Sequence, residues 1–172
     1  MVEIKKGNIW YSAADIIVCP VNTFGTMCSD MIEHIKDYCP HVATEYLRYI
    51  KHCNKHNICA KSTVQFVPSE SWAMPMVDTI ANTTLVPCED FQYLANIFCQ
   101  YDSDDKMADN ISSFGKCMRI IRDKAESINV KTIAIPALVC ENLNEYDYIY
   151  KIIQETFAEE KTNVIVKIYV DE

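Results

Sequence analysis

Short apolar runs rich in β-branched residues alternate along the chain with longer stretches whose apolar positions recur every three or four residues. The first pattern predicts strands and the second amphipathic helices. VEIKK and ADIIVCPV are the first two expected strands. A helix is expected from about Asp30 to Tyr38, broken at Pro40 and resumed through VATEYLRYIKH. STVQFVP reads as a strand, and MVDTIANT and YLANIFCQ read as strands or strand edges around a loop carrying Pro87. DNISSFGKCMRIIRDKAESI sets Ile111, Phe114, Met118, Ile121 and Ala125 at helical steps along one face. KTIAIPALV is the next strand, EYDYIYKIIQETFAEE the last helix and NVIVKIYV the last strand. Strands alternating with helices of this length predict a layered α/β domain, its helices covering a largely parallel or mixed sheet.

At 172 residues, with no repeat, low-complexity segment or Pro/Gly/Ser linker, the chain reads as one domain spanning 1–172. Hydrophobic residues make up 49% and charged residues 23%, the balance of a soluble globular protein, and no apolar run approaches the ~20 residues of a membrane helix. MVEIKKGNIW lacks the apolar core of a secretory leader, so the expected compartment is the cytoplasm and no membrane partner is expected. A net charge of −8, with no Lys/Arg run longer than two, argues against a nucleic-acid partner. Nine cysteines without a CxxC pair read as small buried hydrophobes. His52, Cys53, His56 and Cys59 carry imidazole and thiol groups that zinc could use, but a polar helix end running into a loop is the preferred reading. No metal and no cofactor is assigned.

In sheets of this kind the ligand crevice lies beyond the carboxyl ends of the strands, at helix N-termini. Two turns have that address: CPVNTFGTMCSD and PALVCENLNEYD. There, and in order over nearly the whole chain, the sequence resembles the macro domain family. GNIWYSAADIIVCPVNTFGTM is similar to that family's glycine-Asp/Asn-Ile turn, its V-D-A-I-V-N strand and the N-x-V-N-x-x-G-x-M loop of some microbial members. TVQFVP, LANIFCQ, KTIAIP and DYIYKIIQETF continue the resemblance. It implies a three-layer α/β/α fold with a mixed central sheet, and a protein that binds ADP-ribose and in some members hydrolyses ADP-ribosyl or ADP-ribose phosphate bonds. Carried over, it sets Asn8 and Ile9 at the adenine and Asn22 near the distal ribose. Gly25, Thr26 and Met27 would face the diphosphate and ribose, and Leu138, Val139 and Cys140 the opposite wall. Asn22 reads equally well as a polar turn residue fixing its own loop. Phe24 and Tyr148 are the preferred aromatic walls, and either also reads as core.

The departures from the family pattern carry chemistry. Ser29 occupies the position of a lysine implicated in catalysis in one hydrolase subgroup, and Val139, Glu141 and Asn142 replace small residues of the second loop. The chain has three glycines, of which Gly25 alone is placed for phosphate work. Backbone amides converge on a diphosphate most readily where no Cβ intervenes, and a carboxylate at Glu141 would repel phosphates. Asp30 with Glu33, and Asn142 with Glu145, form helix-capping patterns. The catalytic candidates are Asp30 and Asp147, either of which could activate water, although a first-turn helix role is the preferred reading of Asp147. The leading expectation is an altered macro-type pocket for ADP-ribose or a related adenine nucleotide derivative. Any residual activity would be that of an ADP-ribosyl hydrolase or ADP-ribose-1''-phosphate phosphatase. Two alternatives stand beside it: an inactive protein-interaction module with a protein partner, and a binder that sequesters a modified nucleotide signal.

Overall fold

The computed structural model describes residues 1–25, 35, 39–69, 91–100, 107–137 and 143–170. In chain order these form β1 (Val2–Lys6), a 3-10 turn (Ile9–Tyr11), β2 (Ile16–Asn22), α1 (Pro40–His56), β3 (Val64–Pro68), β4 (Tyr93–Gln100), α2 (Met107–Ser127), β5 (Thr132–Pro136), α3 (Leu143–Thr156) and β6 (Ile165–Val170). The six strands lie in the order β1-β6-β5-β2-β4-β3. All neighbours run parallel except β3, which is antiparallel to β4 at the edge. The sheet is therefore mixed, as expected.

Two cores flank it. Ile17, Cys19 and Val21 of β2 turn to one face, where α1 packs Val42, Tyr46, Ile50 and Cys53. Ile16 and Val18 turn to the other, against Phe114, Met118, Ile121 and Ala125 of α2 and Ile149 and Ile153 of α3. That is why β2 is apolar almost throughout: a parallel strand between two helical layers has no solvent face. The arrangement is a three-layer α/β/α domain.

Local signals fix several boundaries. Pro40 opens α1 as a first-turn proline, which needs no backbone donor. Asn57 ends it in a left-handed conformation at φ 52°, so HCNKH is a helix end. YLANIFCQ is more than a strand edge: as β4 it is interior, paired with β2 on one side and β3 on the other. MVDTIANT lies outside the described residues. Among described cysteines Cys19, Cys53, Cys99 and Cys117 are buried free thiols and Cys59 is exposed. Cys39 departs from the expectation of unpaired hydrophobes: it is buried, but disulfide-bonded. No described helix is long and apolar enough to cross a membrane.

Candidate functional site

β2 and β5 are neighbours at the centre of the sheet, yet they pair only through Ile16↔Ile133 and Ile17↔Ala134. Beyond that point β2 stays paired to β4 as far as Asn22, across Pro20↔Ile97, and β5 stays paired to β6 as far as Pro136↔Tyr169. Proline offers no N–H, so neither Pro20 nor Pro136 can donate to a ladder between the two strands. The sheet thus opens between β2 and β5 toward their carboxyl ends. Gly7, after β1, leaves from that same edge, its N–H bonded to the carbonyl of Val170 at 3.2 Å.

The first turn is held from its own side of the opening. A register shift between Val21 and Asn22 aligns Asn22 with Gln100 and re-aims it at the strand end. Asn22 Oδ1 accepts the Phe24 N–H at 3.0 Å, an Asx turn. The Tyr46 hydroxyl, rising from the buried face of α1, donates to the Asn22 carbonyl at 2.9 Å and to Oδ1 at 3.1 Å. Tyr46 is itself stacked on Phe98 of β4, ring centroids 6.0 Å apart. Gly25 follows at φ +78°, where a Cβ would be strained and would meet Leu47 Cδ2 of α1 at 3.4 Å. The turn-fixing reading of Asn22 describes its bonds. Tyr46 was not singled out from the sequence: its i+4 spacing from Val42 and to Ile50 marks it as core, and nothing local reveals where its hydroxyl points.

The remaining candidates are distributed as follows. Asn8 caps the 3-10 turn, its Oδ1 accepting the Trp10 N–H at 2.9 Å. Ile9 is 8% exposed and forms part of the α1-side core, against which Tyr169 also packs. Phe24 is 54% exposed, and Tyr148 is 60% exposed on α3. Asp147 is exposed beside it. Thr26, Met27, Ser29, Asp30, Leu138, Val139, Cys140, Glu141 and Asn142 lie outside the described residues. Cys53 turns into the core while His52 and His56 stay on the exposed side of α1, rings 4.5 Å apart. Among the described residues no group of three His, Cys, Asp or Glu side chains could hold a metal. Burial raises the thiol pKa of Cys19, Cys99 and Cys117, the last two to about 12, so these sulfurs stay protonated and are not nucleophiles at neutral pH.

Asp15, at the opposite end of β2, ties the central strands together. Its Oδ2 accepts from the Lys131 and Thr132 amides at 2.8 Å each and from the Thr132 hydroxyl at 2.9 Å. Its Oδ1 accepts from Gln92 Nε2 at 3.1 Å, and its carbonyl takes the Gln92 and Tyr93 amides. Partial burial pushes the carboxyl pKa up, but these donors outweigh it and hold the group below its ordinary value.

No protein-family model and no curated protein matches the chain. Solved structures do. The macrodomain of Thermus aquaticus DarG superposes with a TM-score of 0.70 at 19% identity, over 99% of this chain and 98% of that one. A mutant macrodomain of Oceanobacillus iheyensis gives 0.72 at 13% identity, over 99% and 84%. Thermosipho africanus DarTG, in complex with ADP-ribose, gives 0.68 at 15% identity, over 97% of this chain and 41% of that longer one. The chain has the macrodomain fold.

Proposed function

We propose that this macrodomain binds ADP-ribose or a related adenine nucleotide derivative in the opening between β2 and β5. The observation that carries the reading is the parted pair of central strands, with a glycine turn at φ +78° braced from behind by Tyr46 and Asn22. The brace fixes the loop through side-chain groups, with the Phe24 amide held on Asn22. In this reading Asn8 and Ile9 form the adenine end, Asn22 and Phe24 to Met27 the first wall, and Leu138 to Asn142 the second. The ADP-ribose complex of the Thermosipho protein, which shares the fold, supports this ligand class.

Binding rather than turnover is the proposed activity. Ser29 stands where the resembling hydrolases carry lysine, and no hydrogen bond or ion pair links the side chain of the exposed Asp147 to another described residue. Titration calorimetry with ADP-ribose, with ADP as comparison, tests the reading. Saturable heat for ADP-ribose is expected. Its absence at about 1 mM ligand, which means binding weaker than about −4 kcal/mol, would overturn it and favour the interaction module. Mass spectrometry of small molecules released from the purified protein distinguishes ADP-ribose from another adenine derivative.

A further inference from the structure

On the face of the sheet opposite α1, α2 and α3 leave a groove of about 330 Å³ between them. Three cations, Arg119, Arg122 and Lys161, line it with the single carboxylate of Glu155. In a chain of net charge −8 this is a local reversal of sign. Asp123 engages Nε and Nη2 of Arg122 at 3.0 and 2.7 Å, which leaves Nη1 of that guanidinium to donate elsewhere. Lys161 Nζ is anchored by the Glu155 carbonyl at 2.6 Å and keeps two further N–H bonds. No hydrogen bond or ion pair links the Arg119 side chain to another described residue.

Two residues of low overall exposure lie in the wall of the same groove. Thr156 lines it and is 6% exposed, yet its hydroxyl makes no hydrogen bond to a described residue, although helical threonines commonly bond the preceding turn. Gly115 is buried in its wall, inside α2, where a glycine weakens the helix. Helix packing does not demand it: an added Cβ would meet Ile152 Cγ2 at 3.7 Å and Arg119 Nη1 at 3.8 Å, both ordinary contacts. What the missing methyl preserves is room beside the Arg119 guanidinium.

We infer that this groove is a second ligand site, separate from the strand-end opening, and that it takes a phosphate dianion. Guanidinium and ammonium groups supply donors only, and the Thr156 hydroxyl can donate one more hydrogen bond, which a phosphate's several acceptor oxygens match. The three cations outweigh Glu155, and because the Coulomb energy scales with the ligand's charge this net positive lining favours a dianion over a monoanion. The phosphate could be free or part of a phosphorylated side chain.

Amide and arginine Nε NMR of the full chain, titrated with inorganic phosphate at an ionic strength held constant with sodium chloride, tests the site. Saturable shifts are expected at Arg119, Arg122 and Thr156, with Asn22 and Gly25 unmoved. Arg119→Ala and Gly115→Ala should each weaken binding about fivefold or more, and Thr156→Val about threefold. A parallel titration with a phosphoserine peptide separates the sources: tighter binding than phosphate names a phosphorylated protein, and weaker binding names the free ion. Shifts that never saturate, that chloride reproduces, or that Arg119→Ala leaves unchanged would overturn the inference. None of these outcomes depends on ADP-ribose binding, so the two readings fail separately.

Discussion

At the amino ends of β2, β4 and β5 one carboxylate, Asp15, accepts four hydrogen bonds from two distant chain segments, at Gln92 and at Lys131 and Thr132. At the carboxyl ends of β2 and β5 no ladder joins the two strands, and the fastening comes from outside the sheet, through the Tyr46 hydroxyl. The first end is built as a closed knot and the second as an open mouth with one braced lip. A site that must admit a ligand cannot bond its two walls to each other. The sheet therefore concentrates its polar cross-linking where no ligand enters. If this division is real, substitutions at the amino end should cost stability and spare binding, and substitutions at the carboxyl end should do the reverse in proportion.

The largest effect on stability is expected from Asp15→Ala. It orphans the Lys131 and Thr132 amides, and a loss of about 2 kcal/mol is expected after allowance for the site's partial exposure. The sign of the pH dependence follows from the lowered carboxyl pKa. Stabilisation by Asp15 is fully present above its ordinary value of 3.8 and disappears as pH falls through the lower folded value. Urea unfolding should therefore show a gap between wild type and Asp15→Ala that is constant from pH 5 to 7, on the reference scale for aspartate, and closes in stronger acid. A gap that persists undiminished in strong acid would remove the carboxylate from this role. Once folded, the variant should bind ADP-ribose as the wild type does.

Tyr46→Phe probes the other end. The ring and its stacking on Phe98 remain, while the Asn22 carbonyl and Oδ1 lose the Tyr46 hydroxyl and Oδ1 keeps the Phe24 N–H. A stability loss of about 1 kcal/mol is expected, together with a fall in ADP-ribose affinity that Asp15→Ala does not show. Equal affinities for the two variants would dissolve the distinction between knot and mouth. Gly25→Ala should cost about 1 kcal/mol from its positive φ, while its Cβ would meet Leu47 Cδ2 at a contact distance of 3.4 Å. Calorimetry should show a larger proportional loss in binding than in stability, because the strain is released by moving the turn that forms the first wall.

How these ends read from the sequence differs in the same way. The layers were legible because they are local patterns: the apolar run of β2 and the helical spacing of Phe114, Met118, Ile121 and Ala125 need no knowledge of distant partners. Asn22 was legible as a turn residue for the same reason, since its amide target is two positions on. Asp15 in AADIIV gives no local signal of its role, for its partners are 77 to 117 positions away. Tyr46 reaches back 24 positions and looked like one more apolar residue of α1. The parting of β2 and β5 was hidden too, because Pro20 and Pro136 matter only once the strands are known to be neighbours. Long-range polar contacts carry no period along the chain, and they are what separates a fold from its site.

Gly115→Ala should have the smallest effect on stability, and the opposite sign. Glycine in a helix interior gives up more backbone freedom on folding than alanine, and the contacts awaiting its Cβ are ordinary ones. Thermal unfolding should therefore show a gain of roughly 0.5–1 kcal/mol. The substitution lies on the face of the sheet away from α1, so it alters neither the Asp15 knot nor the Tyr46 brace. ADP-ribose affinity should be unchanged while phosphate binding in the α2–α3 groove weakens. That pattern would leave stability, the strand-end site and the groove as three separable quantities. A loss of stability instead would mean that the helices need the glycine for their approach, and the argument that it preserves space for a ligand would fall with it.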